Sequence, residues 1–124
     1  MGKPVIMVVD DQSFICDLVT MMLKDKYTVE ACTSGKDAID YLTENNVDLI
    51  LLDYDMPNMT GYEVLMSVRM KRHTTKIPVV FITGVTNPRL ESEMMDRGAT
   101  DFILKPIQLP ALLAVIEKNL PKNG

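Results

Sequence analysis

The chain has 124 residues, 47% hydrophobic and 24% charged, with a formal net charge of −4. That is one domain's length, enough to bury a real core, and the balance is that of a globular chain and not a disordered one. The acidic charge argues against nucleic acid as a main partner, and no apolar run approaches the ~20 residues needed to span a membrane.

The first apolar run, Val5 to Val9, reads as a parallel strand buried on both faces, and it ends in Asp10-Asp11. Ser13 is placed to cap a helix whose apolar face is Ile15, Leu18, Val19, Met22 and Leu23. Tyr27 to Ala31 alternates apolar and polar residues, which suits an edge strand. Ser34-Gly35-Lys36-Asp37 resembles a capping box opening a helix through Ala38, Ile39 and Leu42. A second buried strand, Val47 to Leu52, leads to Asp53. Thr60-Gly61-Tyr62-Glu63 is a better capping box, followed by Val64, Leu65 and Val68.

The basic run from Arg69 to Lys76 is short and has no aromatic residues among its charges, so it reads as a solvated loop. Ile77 to Ile82 is the third buried strand and is followed by Thr83-Gly84. Asn87-Pro88 supplies a cap and a proline for the next helix, which should stop near Arg97-Gly98. Asp101 to Leu104 is short, as a second edge would be, and precedes Lys105-Pro106. Pro110 opens a last helix with Leu112, Leu113, Ile116 and Leu120 on its apolar face, and the tail Pro121-Lys122-Asn123-Gly124 is expected to fray.

Five alternating β and α units with short connections imply a parallel sheet with right-handed crossovers. Two edges, one alternating and one short, fit the order 2-1-3-4-5 with helices on both faces, a flavodoxin-like doubly wound α/β fold over a single domain, residues 1–124. Cys16 and Cys32 form neither a CxxC pair nor a zinc spacing and, with no secretory signal, read as reduced thiols packed as small hydrophobes in a cytoplasmic protein. The start Met1-Gly2-Lys3-Pro4-Val5-Ile6 lacks the hydroxyl residue expected after a myristoylated glycine, and most of the ten methionines read as core filler.

In open α/β sheets, ligands bind beyond the carboxyl ends of the strands, where strand order reverses. Those ends carry Asp10-Asp11, Asp53, Thr83-Gly84 and Lys105-Pro106. Three carboxylates in one cleft repel, so either some protonate or a cation sits among them. A hard divalent ion is the natural solution, and Mg²⁺ suits a site of few carboxylates and several waters. Lys105 adds a second positive charge, Thr83 a hydroxyl, and the Thr83-Gly84 backbone an N–H. Together these would hold a tetrahedral anion against Asp53, as phosphoryl transfer to a carboxylate requires.

The sequence resembles the receiver domains of two-component response regulators over almost its whole length. The matching segments are Val-Val-Asp-Asp at 8–11, Leu-Leu-Asp-Tyr-Asp-Met-Pro-Asn-Met-Thr-Gly at 51–61, Val-Phe-Ile-Thr-Gly at 80–84 and Gly-Ala-Thr-Asp-Phe-Ile-Leu-Lys-Pro at 98–106. The resemblance implies that Asp53 is the phosphoacceptor, fed by a histidine kinase or histidine phosphotransfer protein. It implies Mg²⁺ ligands at Asp11, at Asp10 through water, at Asp53, and at the backbone carbonyl of Asp55. It makes Lys105 the phosphoryl partner, with a cis bond to Pro106, Thr83 the switch hydroxyl and Phe102 the switch aromatic. The downstream protein target would dock on the fourth helix, fifth strand and fifth helix, with Arg89, Met94 and Met95 as candidate contacts. A homodimer through that face is left open, and no direct nucleic-acid or membrane contact is expected.

Some residues depart from the family pattern. Gly84 stands where a small residue with a side chain is usual, and a glycine loosens that loop. Val85 offers nothing to orient an attacking water, so slow self-dephosphorylation is expected. Two other readings stay open. Asp53-Tyr54-Asp55 looks like the DxD of haloacid-dehalogenase-type phosphatases, although there the acidic pair comes late in the chain. A phosphorylation-independent docking module is the other.

Overall fold

The computed structural model describes residues 2–121, so the expectation for Lys122, Asn123 and Gly124 lies outside the described residues. Strands and helices alternate: β1 (Val5–Val9), α1 (Ser13–Leu23), β2 (Thr28–Cys32), α2 (Gly35–Glu44), β3 (Leu49–Asp53), α3 (Gly61–Met70), β4 (Val79–Thr83), α4 (Pro88–Asp96), β5 (Asp101–Leu104) and α5 (Leu109–Asn119). The strands form one parallel sheet in the order β2-β1-β3-β4-β5.

The pleat sends alternate side chains to opposite faces, so the unbroken apolar runs build two cores. Met7, Val9, Ile50, Leu52, Val79 and Phe81 face α2, α3 and α4, where Ala38, Leu42, Val64, Leu65, Val68 and Met94 meet them. Ile6, Val8, Leu49, Leu51, Val80 and Ile82 face α1 and α5, packing on Ile15, Val19, Leu23, Leu112 and Ile116. The edge strands β2 and β5 are less buried than the central three.

Several boundaries differ from expectation. β3 begins at Leu49, because Asp48 spends its carboxylate on the Val5 amide at 2.7 Å. β4 begins at Val79, since Pro78 has no N–H and the Ile77 amide closes a turn onto Thr74. Ser13 is the first residue of α1 and not its cap. Gln12 holds the cap position without a side-chain bond, and the carboxylate of Asp10 accepts the Gln12 amide at 2.9 Å. α5 opens one residue before Pro110. The other caps form, although the box at Ser34 forms in one direction only. Ser34 accepts from the Asp37 amide, the Thr60–Glu63 box is complete in both directions, and Asn87 accepts from the Leu90 amide with Pro88 in the first turn. Gly98 follows α4 at φ +111°, the left-handed conformation a closing glycine supplies.

The basic run is solvated only in part. Arg69 is half-buried at the end of α3, and its guanidinium donates to the carbonyls of Gly98, Thr75 and Ile77 at 2.9, 3.1 and 2.7 Å. Thr74 is buried and donates to the Val68 carbonyl. Lys71, Arg72 and Lys76 remain exposed. Both cysteines are free and buried. Met7, Met56 and Met94 are buried and Met22, Met59 and Met66 pack against the cores, so most of the ten methionines are core filler, while Met21, Met70 and Met95 are exposed. Among the described residues no helix is long and apolar enough to cross a membrane.

Candidate functional site

Asp53 closes β3 and Asp10 follows β1, and the pairing of Val9 with Leu52 sets these two positions side by side at the carboxyl edge of the sheet. One carboxylate oxygen from each of Asp10, Asp11 and Asp53 lies within 4.8 Å of the others. Asp10 is 0% exposed and Asp53 3%, whereas Asp11 faces solvent. Lys105, just past β5, brings its Nζ to 3.4 Å from Asp53 Oδ1 and 3.5 Å from Asp10 Oδ2. Its bond to Pro106 is cis, as the resemblance implied.

One ammonium does not balance three carboxylates. Burial, and then the neighbouring Asp10 charge, push the Asp53 carboxyl up from 3.8 to about 6, against the opposing pull of Lys105 and the Asp55 backbone amide. Burial pulls the Lys105 ammonium down, but Asp53 and Asp10 outweigh it and leave it raised. Oδ1 of Asp10 accepts the Gln12 amide, while its Oδ2 is buried without a hydrogen-bond donor. A buried carboxylate oxygen left in that state is costly. The donor set is all oxygen and anionic, with one buried acceptor unspent and one solvent-facing carboxylate. It fits a hard, partly hydrated divalent ion such as Mg²⁺.

Thr83 ends β4, and its carbonyl accepts the Lys105 amide at 2.8 Å, tying the ends of β4 and β5 together. Its hydroxyl donates to the Val85 carbonyl at 3.3 Å and accepts the Val85 amide at 3.4 Å, so it is engaged with the following loop. Gly84 is exposed, and a Cβ built there meets nothing within 4 Å. The side chain of Asp55 is exposed; what it gives Asp53 is its amide. Phe102 is half-buried on β5. Of the three candidate contacts on α4, Arg89 and Met95 are exposed but Met94 is 4% exposed and belongs to the core. Helix spacing could not separate those two neighbouring methionines.

Two features were not foreseen. Phe81 stacks on Phe102 with ring centroids 5.6 Å apart and takes Tyr54 edge-on at 5.5 Å, linking the residue after Asp53 to β5. Phe81 and Phe102 are direct register partners, a pairing readable only once the strand order and its offset are known. The second is Gly61. A Cβ there would lie 2.7 Å from the Asp53 carbonyl oxygen, 2.9 Å from Tyr54 Cα and 2.9 Å from Phe81 Cε1. Two of those atoms are backbone and cannot swing aside. Gly61→Ala should therefore cost about 1–3 kcal/mol and weaken Mg²⁺ binding, as overpacking at a close approach does. Urea melts and a Mg²⁺ titration check this; wild-type values for both would refute it.

The model of one family, described as "Response regulator receiver domain", matches residues 6–117. A Vibrio cholerae protein named "Probable cyclic di-GMP phosphodiesterase" is 37% identical over 115 residues, 93% of this chain and 26% of that one. The "Two-component response regulator ORR7" of Oryza sativa subsp. japonica is 40% identical over 105 residues, 83% of this chain and 50% of that one. The chain thus spans about a quarter and about half of these two curated relatives. Among solved structures, the chemotaxis protein CheY4 of Vibrio cholerae superposes with a TM-score of 0.92 at 31% identity, covering 96% of this chain and 100% of that one.

Proposed function

The chain belongs to the response-regulator receiver family of two-component signalling, and from that premise we propose that it is a phosphorelay switch with Asp53 as phosphoacceptor. The observation that carries this is the buried Asp53 carboxylate, flanked by Asp10 and facing Lys105 at 3.4 Å, at the rim where the sheet binds ligands. The donor is the phosphohistidine of a histidine kinase or histidine phosphotransfer protein. An Asp53 oxygen attacks phosphorus, the P–N bond breaks, and the imidazole leaves with the bonding pair while an acyl phosphate forms. Asp10, Asp11, Asp53 and the Asp55 carbonyl would hold Mg²⁺, which when bound offsets the charge on the transferring phosphoryl oxygens.

Lys105 pairs with a phosphoryl oxygen, and the Thr83 hydroxyl gives up Val85 to meet another. Phe102 then moves further inward, altering the surface of α4, β5 and α5, where Met95 and Leu104 are 47% and 50% exposed to a protein target. The proposed setting is the cytoplasm. The protein takes up one phosphoryl group and does not turn over an external substrate. The phosphodiesterase name belongs to a relative of which this chain spans 26%.

Incubation with a labelled phosphohistidine donor tests the reading. Label should reach one phosphoryl group per chain, require Mg²⁺, and vanish in Asp53→Asn. Steady turnover of a small phosphomonoester would favour an aspartyl phosphatase instead. Full labelling of Asp53→Asn would overturn the site, and no labelling of wild type would leave a docking module. Once formed, the acyl phosphate should decay slowly and decay faster in Val85→Gln. Equal decay in the two proteins would remove Val85 as the cause.

A further inference from the structure

The segment between α3 and β4 takes no part in the Asp53 site. Val47 and Asp48 lead into β3, and Ile77 and Pro78 lead into β4, at the amino end of the sheet. Asp53 sits at the other end of β3, roughly 15 Å away along a five-residue strand.

Three observations single this segment out. It is pinned: beyond the three bonds from Arg69 and the one from Thr74, Thr75 Oγ1 donates to the Arg69 carbonyl at 2.9 Å, and His73 Nε2 lies 2.8 Å from the Leu42 carbonyl on α2. These ties set the backbone course of the loop that carries the exposed cations. Its exposed charges are also unspent. Lys71, Arg72 and Lys76 form no ion pair among the described residues, although acidic side chains outnumber basic ones by 17 to 13. Finally, Arg72, His73 and Lys76 line a cleft of about 490 Å³ together with the aliphatic surfaces of Ile77 and Pro121, with the buried Val47 and Pro78 at its base. Asp48 lines it too, but one of its oxygens is taken up by the Val5 amide at 2.7 Å.

We propose that this cleft is a docking site for an acidic, apolar peptide segment of a protein partner. Arg72 and Lys76 take its carboxylates, and the aliphatic lining takes one leucine-sized side chain. Charge complementarity selects the occupant: two exposed cations without an ion pair among the described residues, on a loop whose backbone is tied down, beside aliphatic surface on a chain whose net charge is −4. Nucleic acid is disfavoured, because the lining has no Phe, Tyr or Trp and the basic surface is one short loop on an acidic chain. Inorganic phosphate would use the cations and leave the aliphatic surface idle. The cleft shares no residue with the Asp53 site.

The test is an NMR titration of the isotope-labelled full chain with acetyl-Glu-Leu-Glu-Glu-Leu-amide. Saturable shifts are expected at residues 47–48 and 72–77, with affinity at least about tenfold weaker in the double variant Arg72→Gln, Lys76→Gln. Both side chains are exposed, so that variant should melt like wild type and take label at Asp53 normally. Absence of saturable shifts, equal affinity in the double variant, or equal binding of the Gln-for-Glu peptide would each overturn the proposal. So would tighter binding of inorganic phosphate or of a thymidine oligonucleotide, which would reassign the cleft. Loss of labelling at Asp53 would count against the phosphorelay reading and leave this one standing.

Discussion

In the metal-free protein, Asp53→Asn should raise folding stability by about 3 kcal/mol near pH 8 and leave it almost unchanged near pH 3.5. The wild-type carboxyl is pushed up from 3.8 to about 6 by burial and by Asp10. Below the unfolded value the group is protonated in both states and costs nothing. As pH rises, the unfolded chain releases its proton first, so the folded state binds more protons and stability falls. The loss is complete once pH passes the folded value. The side chain is 4% exposed, so the charge is largely shielded from solvent. Asparagine removes the charge and keeps the shape, and Lys105 retains Asp10.

Adding Mg²⁺ should reverse the order at neutral pH. A cation bound only by the folded wild type stabilises it by mass action, and the variant lacks one of its anionic ligands. Urea denaturation from about pH 3.5 to 8, in chelator and in Mg²⁺, would show both effects. Parallel pH profiles for the two proteins in chelator would end this account of the site's charge.

Arg69→Ala should destabilise the fold by about 3 kcal/mol, a large effect for a residue away from the site. The guanidinium satisfies carbonyls from three places: Gly98 beyond α4, Thr75 in the basic loop, and Ile77 at the entry to β4. Truncation leaves those acceptors partly buried and without a donor, the costlier way to lose a hydrogen bond. It also removes the aliphatic stem, which packs so close to Gly98 that a Cβ there would lie 3.2 Å from Cγ and Cδ. Arg69→Lys should recover less than half of the loss, because one ammonium cannot reproduce the planar fork. Chemical denaturation of the two variants decides the matter. A loss below about 0.5 kcal/mol in the alanine variant would show that the carbonyls find water instead.

Local chemistry carried much of this molecule. The apolar runs of β1, β3 and β4 are strands wherever they are buried on both faces, and the caps at Ser34, Thr60 and Asn87 formed because each needs only residues three or four positions away. Strand order followed from the character of the two edges, and with it the convergence of Asp10, Asp11, Asp53 and Lys105 on one rim.

Contacts between residues far apart in sequence decided the rest. Arg69 sits in a basic run, and nothing nearby in the chain reveals that its Nε–H is taken by the carbonyl of Gly98. Met94 and Met95 are neighbours of one type, and only the packing of α4 on the sheet buries the first and exposes the second. The need for glycine at 61 arises where α3 meets the Asp53 carbonyl, and the ring row from Tyr54 to Phe102 where strand offset aligns β4 with β5. Periodicity and capping are short-range, so sequence records them; burial, register and close backbone approach exist only once distant segments are in contact.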